Sequence, residues 1–239
     1  MRGKMNQTNF QVKKHSGINP EQFPKKFVAQ HLSPYHFVVP TVRGKDVLEI
    51  GFGDGYGAYF LKDYAQSVTA VDLFQENVSL AQEKYKGHNL SFAQMNAICL
   101  AFEDDWFDAV VSFQVIEHVP RHFLKKYLLE MKRVLKPGGT AFITTLNLEK
   151  NMKPGNAYNK SPDHDVEFTE QDFNQLLSGV FDKTQIYGLF PTPKHAFFER
   201  LKKWGIKVNA FYNSIGVKDF VWKKNRTNDC LDFMAICSK

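Results

Sequence analysis

The chain has 239 residues, 43% hydrophobic and 23% charged, which fits one large domain with an appendage and excludes a disordered, collagen-like or coiled-coil chain. Lys and Arg outnumber Asp and Glu by 31 to 25, a formal net charge of +6. Residues 1–45 hold eight basic residues and one acid, residues 191–228 hold nine and two, and the stretch 46–190 holds thirteen and twenty. An acidic middle thus lies between two basic flanks. Solvated lysine faces account for such flanks, and so does a surface for polyanions. A run of about 18 apolar residues is absent, so no transmembrane helix is expected. The opening MRGKMNQTNFQVKK lacks the apolar core of a secretory signal. Cys99, Cys230 and Cys237 are too few and too scattered for a disulfide framework or a zinc site. A reduced, cytoplasmic setting is expected.

Residues 1–45 read as a basic N-terminal helical arm or lid. Short strand-like runs then alternate with helical patterns. Asp46–Ile50, Ser67–Val71, Leu90–Gln94, Phe107–Phe113 and Thr140–Leu146 are apolar or β-branched. Asn77–Tyr85 and His122–Val134 carry apolar residues at three- and four-residue spacings. In the second, Phe123, Leu124, Tyr127, Leu128, Met131 and Val134 form a core-facing stripe. Thr169 opens another helix, because Thr-Glu-Gln-Asp sets a carboxylate three residues after a capping hydroxyl. Lys183–Leu189 is a strand, and Leu231–Cys237 a final one. Alternation of this kind implies a parallel sheet with crossover helices. The units are then 46–190, a sheet domain; 191–230, an aromatic and basic insertion; and 231–239, the last strand.

The sharpest local feature is Val47-Leu48-Glu49-Ile50-Gly51-Phe52-Gly53-Asp54-Gly55-Tyr56-Gly57. A strand ends in an acid, alternating glycines follow, and a helix begins. Glycine serves where the backbone turns sharply and approaches a ligand without a Cβ in the way. A dinucleotide would need the third glycine of G-x-G-x-x-G under its pyrophosphate, yet Tyr56 stands there. Glu49 and Asp54 would also repel a pyrophosphate and attract a cation. S-adenosylmethionine carries a sulfonium, an ammonium and no phosphate, so the acidic loop favours it. Asp72 ends the next strand, where a carboxylate can accept both ribose hydroxyl protons.

Five stretches in order, VLEIGFGDGYG (47–57), VTAVD (68–72), FDAVVSFQVIEHV (107–119), LKPGGTAFITTLN (135–147) and His164-Asp165-Val166-Glu167-Phe168-Thr169, resemble the class I S-adenosylmethionine-dependent methyltransferases. The likeness is to the metal-independent, type 11-like group that includes ubiquinone/menaquinone-type and many glycan or natural-product enzymes. It covers roughly residues 30–190 and, more weakly, the last strand. It implies a Rossmann-like α/β fold: a seven-stranded sheet, mostly parallel with the last strand antiparallel, and helices on both faces. It implies that Gly51, Gly53 and Gly55, with Phe52 between them, line the methionine and ribose, that Asp72 binds the ribose and that Leu73 flanks the adenine. Asn96 and Ala97 stand where an acid and a small residue usually meet the adenine; an amide oxygen can still accept from its amino group. Phe113 and Gln114 match positions near the methionine end, and Tyr35 matches a tyrosine covering the methionine group.

Methyl transfer to oxygen needs alignment and removal of a proton. Histidine suits the second task. His118 follows the fourth strand beside Glu117, which could orient its ring; the pair could equally cap a helix. His164 lies on the loop after the fifth strand, as a base or as a surface histidine. The fourth strand ends SFQVIE, without the Asn/Asp-Pro-Pro-Tyr/Phe of amino-group nucleic-acid methyltransferases and without the Pro-Cys of cytosine-C5 enzymes. The clustered acids of magnesium-dependent catechol-type enzymes are not apparent, so no metal is expected. In the insertion, His195, Phe197, Phe198, Leu201, Trp204, Phe211, Tyr212, Phe220 and Trp222 lie among lysines. Most are expected to pack on the sheet; together with the lysines they hint at an anionic or lipid-linked acceptor. The leading expectation is O-methylation of a small molecule or glycan precursor. An RNA-modifying enzyme and a noncatalytic cofactor-binding subunit are the alternatives.

Overall fold

The computed structural model describes residues 20–152, 159–224 and 227–239. The first nineteen residues of the expected basic arm, with Arg2, Lys4, Lys13 and Lys14, lie outside the described residues, as does Arg226 of the basic insertion.

The element order is α1 (Lys25–Val42), β1 (Asp46–Ile50), α2 (Tyr56–Leu61), β2 (Ser67–Asp72), α3 (Gln75–Lys84), β3 (Leu90–Gln94), β4 (Phe107–Phe113), α4 (Leu124–Val134), β5 (Leu135–Leu146), α5 (Leu148–Asn151), α6 (Glu170–Ser178), β6 (Lys183–Pro191), α7 (Pro193–Lys203), α8 (Asn209–Ser214), β7 (Phe220–Lys223) and β8 (Asp232–Ser238). The strands form one sheet in the order β3-β2-β1-β4-β5-β8-β6-β7. Pairings among β1 to β5 are parallel, and β8 runs antiparallel to both neighbours. The Rossmann-like α/β reading therefore holds. The sheet has eight strands rather than seven. The extra one, β7, comes from the insertion, where Phe220-Val221-Trp222 supplies apolar and β-branched residues that suit a sheet edge and pairs antiparallel with β6 through Leu189↔Trp222.

Both faces of the sheet are covered. Along β1 the side chains alternate: Leu48 and Ile50 enter a core with α4 and α6, while Val47 enters a core with α1, α2 and α3. Helix α4 shows why the amphipathic spacing was informative, since Leu124, Tyr127, Leu128, Met131 and Val134 are buried; Phe123 precedes the helix and is half-buried. Thr169 caps α6, its hydroxyl accepting from Asp172 N at 3.1 Å. The sheet order reverses at β1, whose neighbours are β2 and β4. Crevices open at such switch points, outside the carboxyl ends of the strands.

Candidate functional site

A cavity of about 550 Å³ occupies this crevice. The turn after β1 forms its floor. Gly51 has φ +74°, and a Cβ there would lie 2.6 Å from the Val115 side chain. Only glycine fits both the left-handed backbone and the close approach of the β4 loop. Gly55 takes the N-cap of α2, packed under Ala81, Phe92 and Tyr85. Asp72 closes β2. Its carboxylate accepts from Gly53 N and Phe74 N, both at 3.0 Å, and from Asn77 Nδ2 at 3.1 Å. A carboxylate offers about four acceptor positions, so Asp72 holds the turn and keeps capacity for a ligand hydroxyl. Burial raises its pKa against those three bonds.

Glu49 is buried in β1. Its Oε1 accepts from Tyr35 OH at 2.5 Å, and Oε2 has no hydrogen-bond partner. Burial, aided by the nearby Asp72 charge, pushes its pKa up to about 8. Tyr35, on α1, packs edge-on against Phe113 and Tyr56 at 4.8 and 5.8 Å. At the end of β4, Gln114 sits at φ +56°, an uncommon conformation for a non-glycine residue and one that collects at functional sites. Its backbone N–H is held by Thr144 O at 3.1 Å.

The opposite wall carries two histidines. His118 Nδ1 meets the Asp163 carbonyl at 2.9 Å, and His164 Nδ1 meets Glu167 Oε1 at 2.6 Å. Each Nδ1 is thereby assigned the proton, which places the lone pair of the neutral ring on Nε2. The Glu167 side chain is 3% exposed, and burial raises its pKa. The rings stand edge to face, 5.0 Å apart. Glu117 is buried beside them, its pKa pushed up to about 8 by desolvation. Glu117, His118 and His164 set ligand atoms within 4.8 Å of one another, a constellation not foreseen by the expectation of no metal. His118 Nδ1 sits on a backbone carbonyl, and His164 makes a carboxylate–imidazole contact with Glu167.

The donor set decides which cofactor fits. Glu49, Asp54 and Asp72 gather at a glycine turn, and an unpartnered buried carboxylate oxygen lies among them. That environment suits a cationic ligand with a ribose and opposes a pyrophosphate. Residues 48–143 match the family model described as a methyltransferase domain. A Mycolicibacterium smegmatis protein, named a probable S-adenosylmethionine-dependent methyltransferase, is 31% identical over 162 residues, 67% of this chain and 61% of its own length. The chain therefore carries a methyltransferase domain over residues 48–143. It spans about three fifths of the length of that relative. A phthiotriol/phenolphthiotriol dimycocerosates methyltransferase of Mycobacterium ulcerans is 36% identical over 120 residues, 48% of this chain and 44% of that protein. Among solved structures, an S-adenosylmethionine-dependent methyltransferase of Thermotoga maritima superposes with TM-score 0.65 at 16% identity, covering 89% of this chain and 90% of that one. Another from Archaeoglobus fulgidus gives 0.64 at 18%, covering 92% and 97%. These two show the fold.

Tyr35, Gly51, Phe52, Gly53, Asp54, Asp72, Leu73, Asn96, Ala97, Phe113, Gln114, His118 and His164 all line the same cavity. Glu49 and Gly55 do not; they lie behind the turn and shape it. Asp54 is not a bare charge, because Tyr85 OH donates to it at 2.5 Å and Lys84 pairs with it at 3.1 Å. The Asn96 oxygen accepts from Ile98 N at 3.1 Å, leaving its second lone pair for a ligand donor. Sequence reasoning missed Phe23, Phe27, Gln30 and Asp232 in the lining of this cavity. Gln30 Nε2 donates to Asp232 at 2.7 Å, and burial pushes Asp232 up to about 6. It also missed the contact of Glu167 with His164, although the three-residue offset in H-x-x-E was a visible signal.

Proposed function

We propose that the protein methylates an oxygen of a small-molecule or glycan-precursor acceptor, with a lipid-linked acceptor favoured. The observation that carries this reading is the part-buried Glu167–His164 pair, whose imidazole lines the same cavity as the glycine turn. When bound, S-adenosylmethionine supplies an electrophilic methyl group on a sulfonium. Asp72 would hold the ribose, Leu73, Asn96 and Ala97 the adenine, and Tyr35, Phe113 and Gln114 the methionine end. Glu167 fixes the tautomer and orientation of His164 and stabilises its protonated form, the logic of a carboxylate behind a general-base imidazole. His164 Nε2 takes the acceptor hydroxyl proton as the oxygen is alkylated and releases it to solvent with the product. His118, 5.0 Å away ring to ring, orients the acceptor. Phe23 and Phe27 at the mouth supply apolar surface for a hydrocarbon portion and exclude water. A lipid acceptor also agrees with the phthiotriol and phenolphthiotriol dimycocerosates for which the Mycobacterium ulcerans relative is named.

A screen with methyl-labelled cofactor against hydroxyl-bearing glycan precursors and lipid-linked acceptors tests this. Label should enter an ether or ester methyl group, and His164→Ala should abolish most of it while cofactor titration stays unchanged. Label recovered only on nitrogen or carbon would overturn the oxygen assignment.

A further inference from the structure

The insertion carries a surface that cofactor binding does not use. Helix α7 has an inward and an outward side. Inward, His195 is 1% exposed, and Phe198 stacks on Phe211 of α8 at 4.2 Å. Outward, Phe197 and Trp204 are 55% and 76% exposed. They are seven residues apart, two helical turns, and so share one stripe. The turn that ends α7 is fully specified. Gly205 at φ +79° donates to Lys202 O at 3.0 Å, and Ile206 N donates to Leu201 O at 3.1 Å, the paired bonds of a Schellman stop. That stop holds Trp204 and an exposed Ile206 in place on the outward side.

Charge surrounds the apolar stripe. Lys194, Arg200, Lys202, Lys203 and Lys207 are exposed. The one acid in this stretch, Glu199, turns inward to Lys26 of α1 and to His195 Nε2. Its charge is thus offset by Lys26, and the outer face stays positive. The same contacts tie the face to the cavity mouth. Lys26 reaches Glu199, Lys25 reaches the Asn213 carbonyl of α8 at 2.9 Å, and the flanking Phe23 and Phe27 line the mouth. A nucleic acid would select aromatic planes that can stack on bases; the aliphatic Ile206 beside a projecting Trp204 suits insertion among acyl chains. Aromatic and aliphatic side chains ringed by lysine and arginine are the composition of an interfacial anchor.

We propose that the outward face of α7 and its terminal turn docks on an anionic lipid bilayer and sets the cavity mouth against it. Phe197, Trp204 and Ile206 enter the headgroup boundary while the basic ring contacts anionic headgroups. The docking is separate from the methyl-transfer reading, because vesicle binding requires neither cofactor nor turnover.

The test uses the full chain with vesicles of phosphatidylcholine, alone or mixed with phosphatidylglycerol. Binding to the mixed vesicles should be at least about tenfold stronger than to the neutral ones. The variant F197S/W204S/I206S should lose about tenfold or more, and R200E/K203E a similar factor. Trp204 emission should shift to the blue on binding, and Trp204→Phe should remove that shift although Trp106 and Trp222 remain. Unfolding temperature and cofactor titration monitor the fold; should the triple variant misfold, the charge variant and the Trp204 emission decide. Equal binding of native and charge-reversed protein, no preference for anionic vesicles, or binding to single-stranded RNA without binding to vesicles would each overturn the proposal.

Discussion

The two ends of the cavity are built by different means. The cofactor end is backbone: a glycine turn after β1, a carboxylate closing β2 and a strained residue after β4, all at neighbouring strand ends. The acceptor end is assembled from side chains far apart in sequence, such as Gln30 with Asp232 and Lys26 with Glu199. Their electrostatics also differ. At the cofactor end, burial without a cation raises Glu49 to about 8. At the rim of the acceptor end, partial burial pushes Glu199 up, yet Lys26 and His195 hold it down to about 2. One end waits for a cation; the other already has its own.

Substitutions can separate the two ends. The largest expected effect is at the histidine wall. His164→Ala should lower kcat by about 10²–10⁴-fold, the range of one positioned general base, with the cofactor Kd unchanged. Glu167→Gln should cost less, because the ring and its Nε2 remain. Single-turnover kinetics beside calorimetric cofactor titration would check both. If the cofactor Kd moved together with kcat, the two ends would not be independent.

Next comes Asp72→Ala. One charge-assisted hydrogen bond to a ribose hydroxyl, about 1.5–3 kcal/mol, predicts a loss of about ten- to a hundredfold in cofactor affinity. The same change strands Gly53 N and Phe74 N, so thermal stability should fall as well. Asp72→Asn, which can still accept from the turn, should recover more stability than affinity. Calorimetry and thermal unfolding on the three proteins would read this. Equal cofactor affinity in all three would remove Asp72 from the site.

What could be read from the chain follows the same division. The strands β1 to β4 and the glycine turn are local, and four or five residues suffice to specify each. The chemistry of Glu49 and Asp54 against a pyrophosphate was therefore legible before any fold. The strands β5, β6 and β8 were legible as runs, but the insertion of β8 between β5 and β6 was not legible from pattern alone. The eighth strand was hidden because Phe220–Lys223 is short and embedded in an aromatic stretch. The aromatics of the insertion look alike in sequence; only the hand of α7 and the stop at Gly205 separate buried Phe211 from exposed Trp204. The carbonyl that orients His118 has no sequence signature at all, since any residue at 163 would supply it.

The two carboxylates supply the smaller, pH-resolved tests. Folded Glu49 keeps its proton up to about 8, whereas in the unfolded chain it ionises near 4.5. The folded state binds the extra proton between those values, so stability is greatest below about 4.5 and declines toward pH 8. Glu49→Gln should flatten that decline, whose ceiling for one group is about 1.4 kcal/mol per pH unit. Adding the cationic cofactor to native protein should flatten it too, because the cation supports the ionised carboxylate. Thermal unfolding from pH 5 to 8 would read both effects. An equally steep decline in the variant would place the charge cost elsewhere.

Glu199 gives the opposite sign. Its folded pKa lies near 2, below the ordinary 4.5, so its contribution is complete above about 4.5 and fades as the pH falls toward 2. The pair with Lys26 is partly exposed, and water and salt screen it to below about 1 kcal/mol. Glu199→Gln should therefore leave neutral-pH stability nearly unchanged and remove a small acid-side slope between pH 4.5 and 2. Added salt should shrink the native slope there, while the Glu49 slope, buried from solvent, should respond much less. A salt response of equal size at both carboxylates would contradict the contrast between an internally balanced rim and a cofactor end left short of positive charge.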